Sequence, residues 1–324
     1  MNAMTLKKAA AILTKLRPIL ILLLVTVVFS LLSDRFFTLS NLTNIFKQIS
    51  INAILASGVY FAILMGGIDI SVGSVLGFSG AMAAYLLVRI QSPIGALAAV
   101  AAALVIGAGA GGANGFFIAK CRLQPMIATL ASLSIFRGAT MLLTNGASIS
   151  INKAAGASVF KFLGQGTVLD DFLPIPIIIM AGVYAIVYHI LNKTAYGRHI
   201  YAIGGNEDAA FLSGISVAKT KILGYMASGL MAGLAGIITT ARVAAAQPLA
   251  GQGYEMDAIA AVVIGGTSLR GGEGHVLYTI IGAVIIGMLN NILNLTNASP
   301  HLQIIIKGGV ILAAVLLDAS TKRK

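Results

Sequence analysis

The chain has 324 residues, of which 58% are hydrophobic and only 10% are charged, and its formal net charge is +12. A water-soluble domain has about a quarter of its residues charged, so this composition excludes a soluble fold and predicts an integral membrane protein. The lone cysteine, Cys121, excludes an internal disulfide, and no cluster of His and Cys has metal-ligand spacing, so neither a metal nor a redox function is expected.

Ten apolar runs follow one another along the chain, and they predict an all-α integral membrane protein of about ten transmembrane helices. Residues 1–324 are predicted to form a single transmembrane domain. The eighth run is short. The first run resembles a signal peptide, but no small-residue cleavage site follows Ser33, so it is expected to be a retained span. The predicted spans are residues 16–32, 51–67, 72–88, 93–118, 125–143, 173–191, 222–239, 256–266, 276–294 and 303–317.

The basic residues between the spans predict an orientation. With residues 1–15 in the cytoplasm, fourteen Lys and Arg fall on the cytoplasmic side and six on the other, which satisfies the positive-inside rule. An even number of spans then places both termini in the cytoplasm. Because these charges lie in short loops, nucleic acid is not expected as a partner. The fourteen are Lys7, Lys8, Lys15, Arg17, Lys120, Arg122, Lys193, Arg198, Lys219, Lys221, Arg270, Lys322, Arg323 and Lys324, and the six are Arg35, Lys47, Arg89, Lys153, Lys161 and Arg242.

A glycine-rich break separates the second and third spans at residues 66–73, and it contains Asp69 and Ser71. An unpaired charge near lipid is unfavourable, so Asp69 must face protein or water. Two interpretations remain open. Asp69 or Ser71 caps the third helix by accepting backbone N–H bonds, or Asp69 contributes to a translocation path.

Other polar side chains within the spans are candidates for the same path. Arg137 and Lys307 carry charge inside apolar runs, and Lys307 lies close enough to the middle of its span to need a partner. Asn290 and Asn294 share one face of the ninth span, and Asn114 lies in the fourth. These amides either hydrogen-bond neighbouring helices or line a polar path.

The predicted cytoplasmic loop at residues 192–221 contains a short capped helix. A Gly-Gly pair breaks the chain, Asn206 can cap the next turn, and two acidic residues in that turn favour the positive end of the helix dipole. The helix is expected to run to about Ser213 and to stop at Gly214. It either docks in a groove of a partner or lies against the bundle. The candidate docking residues are Gly204, Gly205, Asn206, Glu207, Asp208, Ala209, Ala210, Phe211, Leu212 and Gly214.

Six short motifs lie along the chain, at residues 66–74 (GGIDISVGS), 201–207 (YAIGGNE), 212–215 (LSGI), 246–248 (AQP), 253–261 (GYEMDAIAA) and 265–269 (GGTSL). In this order they resemble the signatures of the ribose, galactose and xylose permeases of ABC importers, and the similarity extends from about residue 41 to residue 318. The segment at residues 208–214 (DAAFLSG) is also similar to the Glu-Ala-Ala-x-x-x-Gly loop that engages the ATPase in binding-protein-dependent permeases, with Asp in place of Glu. The distal apolar and Pro part of that loop motif is absent.

The resemblance implies a multi-pass permease subunit of the bacterial inner membrane that carries a monosaccharide. Among the pentoses and hexoses that such permeases carry, ribose is the sugar expected here. Its implied partners are a cytoplasmic ABC ATPase, a second permease (an identical copy or a related chain) and a periplasmic sugar-binding protein. The chain itself is expected to bind no cofactor, with ATP and Mg²⁺ held by the ATPase. In agreement, the sequence has no GxxxxGK[ST] phosphate loop.

Two other functions remain open from the sequence. An ion-coupled secondary transporter would need ionisable groups along its path, and Asp69, Arg137 and Lys307 are the candidates. An intramembrane hydrolase would use Ser79, which lies in a Gly-x-Ser-x pattern, and it would need a base such as His189 within hydrogen-bond reach.

Overall fold

The computed structural model describes residues 3–92, 94–169 and 173–321, and the fold is an all-α bundle with two very short β-ribbons. The helices are α1 (Ala3–Leu32), α2 (Leu39–Leu64), α3 (Val72–Arg89), α4 (Ile94–Ala119), α5 (Pro125–Thr144), α6 (Ala157–Gln165), α7 (Ile175–Lys193), α8 (Ala195–Gly205), α9 (Glu207–Leu212), α10 (Val217–Val243), α11 (Tyr254–Ile264), α12 (Val276–Leu295) and α13 (Pro300–Thr321). The strands are β1 (Ile149–Ser150), β2 (Thr167–Val168), β3 (Leu173–Pro174) and β4 (Ala245–Ala246).

Seven helices in the described ranges are long and apolar enough to cross a membrane: α2, α3, α4, α5, α7, α10 and α12. Each of the ten predicted spans coincides with a helix. However, the apolar parts of α1 and α13 are shorter, and α11 has only 11 residues. At 1.5 Å per residue α11 is about 16 Å long, roughly half the thickness of the hydrocarbon core. The all-α membrane fold is confirmed, whereas ten spans and two cytoplasmic termini stay a prediction.

The two ribbons and α6 lie at one end of the bundle. β1 pairs antiparallel with β4, with Ile149 opposite Ala246, and β2 pairs antiparallel with β3, with Thr167 opposite Pro174. The helix α10 runs from α9 to β4, so α9 and β4 lie at opposite ends of the bundle. We call these the α9 end and the β-ribbon end. Of the basic residues used for the orientation, Lys322, Arg323 and Lys324 lie outside the described residues.

The second span begins earlier than the sequence predicts. The prediction starts at residue 51, whereas α2 begins at Leu39, because its first three turns are polar and escape a search for apolar runs. One of these polar residues, Asn41, is buried and exchanges two amide hydrogen bonds with Asn291 of α12, at 3.0 and 2.7 Å. The helix therefore continues beyond its apolar stretch because a neighbouring helix satisfies its polar side chains.

The region at residues 192–221, predicted as a loop, is largely helical. α8, α9 and the first turn of α10 fill most of it. Gly204 and Gly205 are the last residues of α8, so the break falls one residue later than predicted, at the extended residue Asn206 (φ −161°, ψ 110°).

Small residues bring α4 and α10 into close contact. A Cβ atom added at Gly107 would overlap the carbonyl oxygen of Gly229, and one added at Gly111 would overlap the carbonyl oxygen of Tyr225. In lipid, where apolar side chains gain little by leaving their solvent, such close backbone contact stabilises helix pairs. α10 consequently packs closely on α4 along much of its length.

Candidate functional site

The short helix α9 has the cap that the sequence predicts. The side-chain oxygen Oδ1 of Asn206 accepts a hydrogen bond from the backbone nitrogen of Ala209 at 2.9 Å. Glu207 and Asp208 lie in the first turn, at the positive end of the helix dipole. The helix ends at Leu212, and Gly214 follows with a left-handed φ of +82°. A glycine suits that conformation because other residues adopt it at a cost.

One face of α9 packs against the bundle and the other is open. Ala210 is buried, whereas Phe211 is 69% exposed and Leu212 is 84% exposed. The first turn is attached to α10 by an ion pair, in which Lys221 Nζ donates to Glu207 Oε2 at 2.6 Å. The two adjacent large apolar side chains therefore lie exposed on a helix that is attached to α10.

The junction between α8 and α9 rests on two other glycine-rich turns. A Cβ atom added at Gly204 would overlap the carbonyl oxygen of Leu64, at the end of α2, and the backbone nitrogen of Gly272. That nitrogen donates to the Leu64 oxygen at 2.9 Å. At Gly205 the same position is open space. Gly204 contacts Leu64 and Gly272 through backbone atoms alone. A shift of α8 would therefore displace the end of α2 and the turn before α12.

A buried polar network surrounds Asp69, just beyond the end of α2. Asp69 Oδ1 accepts from the backbone nitrogen of Ser71 at 3.0 Å and from its hydroxyl at 2.6 Å, and Asp69 Oδ2 accepts from the Ser228 hydroxyl at 2.8 Å. The Asn114 amide donates to the Ser71 hydroxyl at 3.0 Å, and its oxygen accepts from Ser132. The network thus joins the start of α3 to α4, α5 and α10.

These contacts give Asp69 a structural role just before α3, whereas its part in a translocation path stays a prediction. The carboxylate accepts the backbone N–H of Ser71, the N-cap residue of α3, and it also holds α10 through Ser228. The Ser71 side chain makes no cap hydrogen bond, so a cap formed by Ser71 is wrong. No basic side chain hydrogen-bonds to it in the described part of the chain. The sequence indicated Asp69, Ser71 and Asn114 as candidates, without indicating that they contact one another. Sequence reasoning missed Ser132 and Ser228, since buried serines are common in membrane helices and their sequence context gives no signal.

The two asparagines predicted to share one face of α12 have different partners. Asn290 Nδ2 donates to Asp257 Oδ2 at 2.9 Å, and Lys307 Nζ donates to the same oxygen at 3.1 Å. Asn294 is exposed, and its oxygen accepts from Gln303 at 3.1 Å. The partner that Lys307 needs is therefore Asp257 in α11, which sequence reasoning did not single out although it lies within the predicted eighth span.

The remaining candidates are dispersed. Arg137 donates from α5 to the carbonyl oxygen of Ala250 at 2.8 Å, so it supports the segment that precedes α11. The Ser79 hydroxyl is buried and has no hydrogen-bond partner within the described ranges, and His189 is exposed near the α9 end of α7. The structure therefore does not provide the base that a serine nucleophile needs.

Comparison with known proteins gives consistent matches. A profile of the family described as branched-chain amino acid transport system / permease component matches residues 41–315. The chain is 49% identical to the ribose import permease protein of Escherichia coli K12, over 93% of this chain and 92% of the relative. It is 44% identical to the ribose import permease protein of Bacillus subtilis 168 (95% and 93%) and 40% identical to the D-allose transport system permease protein of Escherichia coli K12 (92% and 89%).

Proposed function

The chain belongs to the permease-component family that includes these ribose import permeases, and on that basis we propose that it is the membrane-spanning, non-hydrolysing subunit of an ABC importer for ribose. It is a multi-pass protein of the inner membrane. Ribose is favoured because the ribose permeases, at 49% and 44% identity, are more similar to the chain than the D-allose permease, at 40%. In this proposal a separate ABC ATPase binds ATP and Mg²⁺, and a periplasmic binding protein delivers the sugar.

The structural observation that supports an ATPase partner is the outward face of α9. Phe211 and Leu212 lie exposed on a capped helix that is held to the bundle by Ala210 and by the ion pair of Glu207. We propose that this face docks on the cytoplasmic ATPase, with residues 204–214 as the coupling segment. The contacts of Gly204 with α2 then give the docked subunit a mechanical connection to the break at Asp69.

Reconstituted transport tests the proposal as a whole. Vesicles with the permease, its ATPase and its binding protein should take up labelled ribose when ATP is supplied, and a proton or sodium gradient without ATP should give no uptake. Excess unlabelled ribose should compete more strongly than allose or xylose. Uptake driven by a gradient alone would instead identify a secondary transporter.

Docking on the ATPase is tested by truncating the exposed side chains. Phe211→Ala should weaken binding of the ATPase roughly tenfold or more, because burial of a Phe side chain contributes about 1.5–3 kcal/mol. Leu212→Ala should act in the same direction. The matched control is Phe162→Ala, since Phe162 is 51% exposed on α6 at the opposite end of the bundle. Equal effects of all three variants on co-purification of the ATPase would contradict the docking site.

We also propose that the second permease subunit is another copy of this chain. The side of α5 that carries Leu130, Ser134 and Gly138 is exposed, while Ser132 on the same helix belongs to the Asp69 network. A second copy on this side would place the networks of both subunits near one path. Ser134→Cys should then form a disulfide-linked dimer in native membranes, and an exclusively monomeric product would count against this arrangement.

For the translocation path we propose the network of Asp69, Ser71 and Asn114. Asp69→Asn keeps the shape of the side chain and one acceptor oxygen, so we expect normal assembly and a loss of about 1 kcal/mol in stability. Without the negative charge, ribose uptake per incorporated permease should fall several-fold. Wild-type uptake by both Asp69→Asn and Asp69→Ser would show that Asp69 only caps α3.

A further inference from the structure

One face of α10 connects the coupling segment with the Asp69 network. Lys221, Tyr225 and Ser228 are spaced at positions i, i+4 and i+7, so they lie along one face of the helix. Lys221 binds Glu207 of α9 at 2.6 Å, and Ser228 donates to Asp69 at 2.8 Å. Tyr225 lies between these two contacts, one turn from each.

Tyr225 has a hydroxyl group that this arrangement does not use. The side chain is buried, at 1% exposure, and the hydroxyl has no hydrogen-bond partner among the residues that the structure describes. It packs against the glycine-rich break so closely that a Cβ atom added at Gly67 would overlap the hydroxyl oxygen. Burying a hydroxyl without a partner is unfavourable, and Phe would fill the same space without that penalty. The contacts in this arrangement of the helices therefore do not explain why residue 225 is Tyr and not Phe.

A crevice beside Tyr225 gives these groups room to move. Its volume is about 170 Å³, and its lining includes Gly67, Tyr225 and both members of the ion pair between Glu207 and Lys221. A displacement of α9 that changes the ion pair would thus alter the space next to the tyrosine. The Asp69 carboxylate has capacity for a further donor, because its two oxygens together can accept about four hydrogen bonds.

We propose that Tyr225 is a positioning residue for transport, whose hydroxyl donates to the Asp69 carboxylate in a second arrangement reached when the docked ATPase moves α9. The ion pair between Lys221 and Glu207 transmits the displacement to α10, and Tyr225 and Ser228 pass it to the break before α3. The inference rests on the proposed function, because it takes α9 as the site at which the ATPase docks.

The test compares Tyr225→Phe with the wild type in the reconstituted importer, by measuring ribose transported per ATP hydrolysed and the melting temperature of the purified permease. We expect an unchanged or higher melting temperature, because an unpartnered hydroxyl is removed, together with at least threefold less ribose per ATP. A purely structural role for Tyr225 would leave the transport ratio unchanged, and that result would overturn the inference.

A second variant tests the other end of the relay. Lys221→Met should lower the ratio of ribose to ATP to a similar extent, and the double variant with Tyr225→Phe should be no worse than either single variant, since both act in one pathway. The control is Lys219→Met, in the same turn of α10 but exposed and without an ion pair in the described structure. Additive losses in the double variant would overturn the inference. Absence of ATP-dependent uptake in the wild type would refute the proposed function instead.

Discussion

The ion pair between Asp257 and Lys307 gives the sharpest energetic prediction. The Asp257 side chain is 2% exposed and that of Lys307 is 24% exposed, and the two are joined at 3.1 Å. Lys307→Met leaves the carboxylate buried, with the Asn290 amide as its remaining side-chain donor at 2.9 Å. Removing one member of a fully buried pair costs about 3–5 kcal/mol. Because Asn290 stays and Lys307 is partly exposed, we expect about 2–3 kcal/mol.

A double variant distinguishes the effect of losing the ion pair from the effect of losing packing contacts. Asp257→Asn combined with Lys307→Met removes both charges, and replacing a whole buried pair is often close to neutral. We therefore expect the double variant to recover most of the stability that Lys307→Met loses. The interaction energy of the double-mutant cycle should be about 2 kcal/mol, well above the few tenths found for independent sites.

Thermal unfolding of the detergent-purified permease is a suitable assay. For large domains about 1 kcal/mol shifts the melting temperature by roughly 2–4 °C, so Lys307→Met should lower it by roughly 4–12 °C. The control is Lys153→Met, since Lys153 is exposed near the β-ribbon end and has no ion pair in the described structure. If the double variant is as unstable as the sum of its two single variants, the reasoning about a desolvated pair is refuted.

Two further predictions concern the coupling segment and the orientation. Gly204→Ala should reduce ATP-driven uptake strongly, because its new methyl group overlaps the end of α2, whereas Gly205→Ala, which faces open space, should transport normally; equal uptake by both variants would contradict the junction. In a variant without Cys121, Ser158→Cys should react with an impermeant thiol reagent in intact spheroplasts and Ser213→Cys only after permeabilisation. The reverse pattern would reject the predicted topology.

The short helix α9 shows which features can be predicted from neighbouring residues. Asn206 bonds to Ala209, three positions ahead, and the acidic first turn and the terminal glycine are equally local. Close packing of α4 on a neighbouring helix could also be predicted, because small residues four positions apart form a contact surface on one helix. Neither inference requires knowledge of which helices are neighbours.

The start of α2 shows where apolar patterns fail. The polar first turns of α2 are helical because Asn41 finds Asn291 across the bundle, and residues flanking a helix do not reveal such a partner. The short eighth run, residues 256–266, predicts the length of α11 correctly, and the helix begins and ends two residues earlier, at Tyr254–Ile264.

The sequence by itself determined that the protein is an α-helical membrane protein, where its apolar helices lie, and how α9 is capped, because hydrophobicity and capping depend on residues close together in the chain. Only the tertiary structure decided the partners of the buried polar groups. Asp69 meets Ser228 across 159 positions, and Asp257 meets Lys307 across 50. In lipid every such group needs a partner, and many serines and asparagines on this chain would serve, so the choice is made by which helices the packing brings together.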